Sequence, residues 1–238
     1  MPAYTFYDDF DGLAGSGPDP TKWTYDLGGG QPNEELEIYT SARANSYLDG
    51  KSNLVIAVTE SNGVYSSARL KTQGLFSQIG GHFEARIQLN PQLGIWPAWW
   101  LLGQDIDTVN WPQCGEIDGL ENFGYNTGIS SSVYTPNPGQ SAPHGFGSTV
   151  TGDGAWHTYR VDVDAEGIAF SRDGYEYGHC PASYCPSASW VFGPGEPNNG
   201  GLFILLNVAV GGNSSQSPPP ATTKFPATML VDFVRAWQ

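Results

Sequence analysis

The sequence predicts an all-β protein, a sandwich or jelly roll of two stacked antiparallel sheets, and three observations carry that prediction. Short runs alternate apolar and polar residues at a period of two, and 31 glycines and 18 prolines punctuate the whole length. No stretch of a dozen residues repeats with a helical period. A chain of 238 residues builds one large core, so a single domain over residues 1–238 is expected.

Taken in order, Asp49-Gly50 marks a turn, and Lys51 to Glu60 then reads as a strand in which Leu54, Ile56 and Val58 alternate with Asn53, Val55 and Ala57. His82 to Leu89 alternates in the same way, as does His157 to Asp164. Gly167 to Arg172 runs into an Asp173-Gly174 hairpin turn. Leu202 to Val210 is a continuous apolar run that suits a strand buried on both faces, and Met229 to Trp237 supplies a last strand. The stretches 28–35, 135–147, 193–201 and 211–223 are rich in Gly, Pro and Asn and read as loops at the sheet ends, natural walls for a cleft.

One strand-like run breaks the pattern. Between Trp111 and Gly124 the chain places Glu116, Asp118 and Glu121 within six residues, among the bulky apolar Trp111, Ile117, Leu120 and Phe123. Carboxylates so crowded repel one another and resist desolvation, so each raises its neighbours' pKa and at least one tends to keep a proton near neutrality. Side chains on a regular strand alternate faces, which would put Glu121 opposite the other two. A β-bulge between 118 and 121, with Gly119 as the residue that tolerates it, returns all three to one face. Glu116 and Glu121 are then four strand steps apart, roughly 13 Å between α-carbons, and side chains leaning together over a concave sheet can close this to the ~5–5.5 Å of a retaining glycosidase. A solvated acidic face and a set of cation ligands are the alternatives, and the apolar flanks weigh against the first.

Composition narrows the partners. Twenty-four acids against 10 Lys and Arg give a net charge of −14, which disfavours nucleic acid, anionic membranes and sulfated polymers and favours a neutral ligand. The 8 Trp, 12 Tyr and 11 Phe fit either an aromatic core or flat surfaces on which sugar rings stack. No apolar run is long enough to span a bilayer and no basic-then-apolar leader opens the chain, so Met1 is expected to be an initiator added to a mature, secreted domain. Cys180 and Cys185 bracket a loop where a small disulfide is feasible, and Cys114 reads as a partly buried thiol rather than a nucleophile, because no His supports it. The histidines at 82, 144, 157 and 179 lack metal-ligand spacing.

With these residues laid out, the chain resembles glycoside hydrolase family 16 and, within it, the laminarinase-like endo-β-1,3-glucanases. The resemblance rests on Gly115-Glu-Ile-Asp-Gly-Leu-Glu121, Asn33 to Thr40, Tyr65 to Thr72, Gly81 to Ile87, Gly94 to Gly103, Phe203 to Gly212 and Met229 to Arg235. It implies a concanavalin A-like jelly roll with a concave cleft, and retaining hydrolysis of internal bonds in laminarin-type or mixed β-1,3/1,4-glucans by a monomer that needs no catalytic cofactor. It implies Glu116 as nucleophile, Glu121 as general acid and base, and Asp118 as the residue that tunes them. Trp96 and Trp99 match the family's Trp-Pro-Ala-x-Trp block and are expected to stack on sugar, with Trp111 a further candidate. Trp100 is expected on the face opposite Trp99. Asn33, Glu84, Arg86 and Arg69 match polar cleft residues, although Glu84 and Arg86 share a face and can pair with each other. Tyr134 stands where many members carry a substrate-contacting His. A structural Ca²⁺ held by Asp9, the Gly50 carbonyl and Asp232 is also implied. Two alternatives stay open: a carbohydrate-binding sandwich without turnover, and a same-fold hydrolase or transglycosylase acting on another polysaccharide such as agarose.

Overall fold

The computed structural model describes residues 2–124, 128–137, 144–184, 191–192 and 200–238, apart from the side chains of 144–146. In chain order the strands are β1 (Tyr4–Asp8), β2 (Thr24–Asp26), β3 (Glu37–Tyr39), β4 (Ser46–Leu48), β5 (Leu54–Ser61), β6 (Val64–Ser67), β7 (Arg69–Lys71), β8 (Gly81–Leu89) and β9 (Ile95–Gly103). They continue as β10 (Glu116–Glu121), β11 (Ile129–Thr135), β12 (His144–Val150), β13 (Trp156–Val163), β14 (Gly167–Arg172), β15 (Tyr175–Pro181), β16 (Leu202–Val210) and β17 (Ala227–Trp237). A four-residue helix, Ile106–Val109, interrupts them.

Two sheets form, as the alternation predicts. One runs β15-β14-β13-β8-β17-β5-β6-β3, with β1 added on β17 and β4 on β5; the other runs β12-β11-β10-β9-β16-β7-β2. Pairing is antiparallel except between β3 and β6. Apolar side chains of the two inner faces meet in one core: Leu54, Ile56, Phe83, Ile87 and Val161 from the first sheet, Trp99, Leu101, Ile117, Leu120 and Ile204 from the second. Every residue of β16 is buried. Its even-numbered side chains enter the main core, while Phe203 and Leu205 join Leu102 and Cys114 in a smaller cluster on the other side.

The three-residue strands β2, β3, β4 and β7 carry too few side chains to show a period of two, and their pairing partners, not their own patterns, create them. The expected loop 135–147 gives way to β12 from His144 onward. Most of the expected loop 193–201, and the Cys185 half of the feasible disulfide, lie outside the described residues. No helix among the described residues is long and apolar enough to cross a membrane.

Candidate active site

The site is built on β10, and its geometry follows from one irregularity. Glu116, Ile117 and Asp118 pair in register with Tyr134, Val133 and Ser132 of β11, but the next pair is Glu121 with Ser130. On the other side the register slips between Asp118, opposite Trp100, and Leu120, opposite Trp99. This is the expected bulge, and it turns Glu116, Asp118 and Glu121 into one cavity of about 540 Å³ on the concave sheet. Gly119 serves it differently from expectation. Its φ does not lie in the left-handed region; instead a Cβ there would sit 2.5 Å from the Trp99 ring and 3.0 Å from Val161. The bulge needs glycine for space, because the backbone presses on the core, and the Ser131 hydroxyl donates to the Gly119 carbonyl at 2.9 Å.

Strand β9 supplies the floor. Its even positions Trp96, Ala98, Trp100 and Leu102 line the cavity, whereas Ile95, Trp99 and Leu101 point into the core. Trp99 is fully buried, so the expected stacking at that position is corrected: parity along a strand cannot put 96 and 99 on one face, and Trp100 takes the place. The Trp96 indole N–H donates to Glu121 Oε1 at 2.9 Å, and Trp100 donates to Asn207 Oδ1 at 2.8 Å. Gly212, at φ +81, passes so close that a Cβ would lie 3.2 Å from the Trp96 ring. The walls carry Trp111, 45% exposed, with its ring 5.9 Å from that of Tyr134, together with Arg69, whose guanidinium stacks on Trp100 at 4.6 Å, and Asn33. Sequence reasoning missed Trp100 as a platform, along with Glu35, Asp26 and Asn207, which also line the cavity. The even-position rule on β9 was the available signal for Trp100.

Two expected cleft residues lie elsewhere. Glu84 and Arg86 sit on β8, in the opposite sheet, and reach neither the cavity nor each other. Glu84 pairs with Arg235, while Arg86 pairs with Asp232 at 2.5 Å and stacks on Trp156 at 4.9 Å. Their strand belongs to the other sheet, where it lies beside β17 and its Arg235 and Asp232 partners. The same geometry bears on calcium. Asp232 is already neutralised by Arg86, a guanidinium where a cation would have to approach, and Asp9 accepts from the Tyr7 hydroxyl at 3.2 Å. Among the described residues no three His, Cys, Asp or Glu side chains gather to hold a metal. An ion held by Asp9, the Gly50 carbonyl and Asp232 would have to compete with the Arg86 guanidinium for Asp232.

Burial dominates the electrostatics. Glu116 and Glu121 are each raised from an ordinary carboxyl value near 4.5 to about 7, and Asp118 is pushed well above its ordinary range. For Glu116 desolvation comes first and the Glu121 charge second, opposed by Arg69 and a hydrogen bond from Trp111. For Asp118 desolvation is joined by the charges of Glu121 and Glu116. For Glu121 desolvation is opposed by the Trp96 hydrogen bond and reinforced by Glu35. Arg69 and Trp111 favour the ionised form of Glu116 and Trp96 that of Glu121, and the two glutamates titrate together near neutrality. The Tyr134 phenol, opposite Glu116, is pushed up to about 12 by burial and then by the three acids, and stays neutral. Burial, then Glu116 and Asp105, raises the Cys114 thiol to about 12, which excludes it as a nucleophile at neutral pH.

A concave β-sheet carrying a carboxyl triad on a bulged strand between tryptophan platforms defines the class, a β-sandwich glycoside hydrolase. Residues 33–190 match the model of the glycosyl hydrolases family 16, and the chain belongs to that family. It is 33% identical over 242 residues to a beta-glucanase of Rhodothermus marinus, covering 97% of this chain and 82% of that protein. It is 28% identical to glucan endo-1,3-beta-glucosidase A1 of Niallia circulans, where 97% of this chain spans only 37% of the relative. Among solved structures, the laminarinase from Rhodothermus marinus superimposes with a TM-score of 0.85 at 31% identity, covering 100% of this chain and 98% of that one.

Proposed function

We propose that the protein hydrolyses internal β-1,3-glucosidic bonds of neutral β-glucans with retention of configuration. The observation that carries this is the bulged triad, which places two glutamates, both raised to about 7, on the floor of a tryptophan-lined cleft. Relatives named as β-glucanase, endo-1,3-β-glucosidase and laminarinase support the substrate class.

In the first step the Glu116 carboxylate attacks the anomeric carbon while Glu121 protonates the departing glycosidic oxygen, and the C1–O bond breaks as a glucosyl ester forms. In the second, Glu121, now ionised, takes a proton from water; the hydroxyl adds to C1 and Glu116 leaves. Asp118, buried on the same strand and pushed well above its ordinary range by burial and by its two glutamate neighbours, tunes the pair. Trp96 does two things at once: its ring borders the sugar path and its N–H aims Glu121. The test is Glu116→Ala on laminarin, lichenan and agarose, with folding followed by circular dichroism. Laminarin hydrolysis should fall by at least ~10⁴-fold with the fold retained, and near-wild-type release of reducing sugar would sink the mechanism.

A further inference from the structure

The cavity holds a fourth uncompensated acid that the double displacement does not use. Five carboxylates line it, Asp26, Glu35, Glu116, Asp118 and Glu121, against one cation, Arg69. Asp26 is neutralised, by Lys71 at 2.5 Å and Arg69 at 3.2 Å. Glu35 is not: among the described residues no Lys or Arg pairs with it, and its partners are the neutral Tyr39 hydroxyl at 3.2 Å, Asn33 Nδ2 at 3.5 Å and the Glu37 carboxyl.

The chain goes to some length to put it there. Asn33 and Glu34 adopt φ of 68° and 59°, turning the backbone so that Glu35 bridges to Gly211 and Leu36 N–H donates to the Val210 carbonyl at 2.9 Å. Tyr39, which holds Glu35, is itself fully buried and accepts from Asn207 Nδ2 at 3.0 Å, and Asn207 in turn accepts from Trp100. Beside Glu35 lies Glu37, 1% exposed, with one oxygen accepting the Val210 N–H at 2.6 Å and its carboxyl hydrogen-bonded to Glu35. Two carboxyls so placed cannot both ionise cheaply, and the buried Glu37, raised to about 8 first by desolvation and then by Glu35, keeps the proton.

Glu121 lines the same cavity as Glu35. The cavity around it is lined by Glu116 and Asp118 on its own strand, Trp96 on β9, Tyr134 on β11, Arg69 on β7 and Glu35. We propose that Glu35 is a positioning residue that governs how tightly Glu121 holds its proton, and so where on the pH scale the reaction stops. This rests on the hydrolase reading above. Field strength supports it, since like charges sharing a poorly solvated site repel more strongly than in water, and Glu35 is the one charged group among the causes of the Glu121 shift.

The experiment pairs a direct titration with kinetics. Glu121 is followed by carboxyl ¹³C NMR from pH 4 to 9 in wild type, Glu35→Gln, Glu35→Ala and Glu37→Gln, and the pH profile of kcat/KM on laminarin is recorded for each. Both Glu35 variants should titrate Glu121 lower by roughly half a pH unit, with the basic limb moving by the same amount. Glu37→Gln copies the protonated form already present and should leave the titration where it stands. A Glu121 titration and basic limb that stay put in a folded Glu35 variant, with only KM altered, overturn the proposal and make Glu35 a sugar contact. Failure of the hydrolase reading shows separately, as absence of laminarin hydrolysis in wild type, while the NMR arm still decides what Glu35 does to Glu121.

Discussion

At the residue scale the raised carboxyls cost stability in return for function, and the sign can be worked out. Glu116 and Glu121 titrate near 7 in the folded protein against about 4.5 in the unfolded chain. Between those values the native state binds more protons, so stability falls as pH rises through that window and is constant beyond it. Glu116→Gln cannot ionise and escapes the loss. Its thermal midpoint should exceed wild type by on the order of 2–6 °C at pH 8 and match it at pH 4, as calorimetry at the two pH values will show. The tryptophans separate in the same way. Trp99→Ala, in the core, should cost ~3–5 kcal/mol in denaturant unfolding. Trp100→Ala, in the cleft beneath Arg69, should leave the midpoint within ~1 kcal/mol and raise KM for laminarin several-fold.

At the element scale the bulge of β10 does the work. It restores Glu121 to the face of Glu116, and Gly119 permits it by letting backbone press against Trp99. Gly119→Ala adds a methyl 2.5 Å from that ring. Either Trp99 or the bulge must move, so a destabilisation of ~1–3 kcal/mol should accompany a loss of kcat larger than any change in KM. The bulge was legible in the sequence because the spacing of three acids demanded one. The reason for its glycine was not, since spacing within a strand carries no record of which core side chain lies beneath.

At the scale of the whole molecule the two sheets divide the labour. The concave sheet carries the chemistry, while the convex sheet turns a ladder of compensated charges outward, Glu84 with Arg235 and Arg86 with Asp232. Arg86→Ala should leave kcat and KM for laminarin within about twofold and lower stability by less than ~1 kcal/mol, the worth of an exposed pair. Because Asp232 already has its cation, dialysis against EDTA should not shift the thermal midpoint measured by differential scanning fluorimetry; a drop of several degrees, reversed by Ca²⁺, would restore calcium to the account.

The period-two patterning determined the two-sheet architecture, and the crowding of Glu116, Asp118 and Glu121 determined the chemistry, because both are local properties that a strand imposes on its own residues. The tertiary structure alone decided which sheet each polar strand joined. His82 to Leu89 alternates as well as any cleft strand, yet its pairing with β13 and β17 sends Glu84 and Arg86 to the far side. It also brought Glu35 from a glycine-rich turn into the cavity that holds Glu121, 86 residues further along the chain. Alternation specifies that a side chain faces outward, but only the pairing of strands distant in sequence specifies which surface that is.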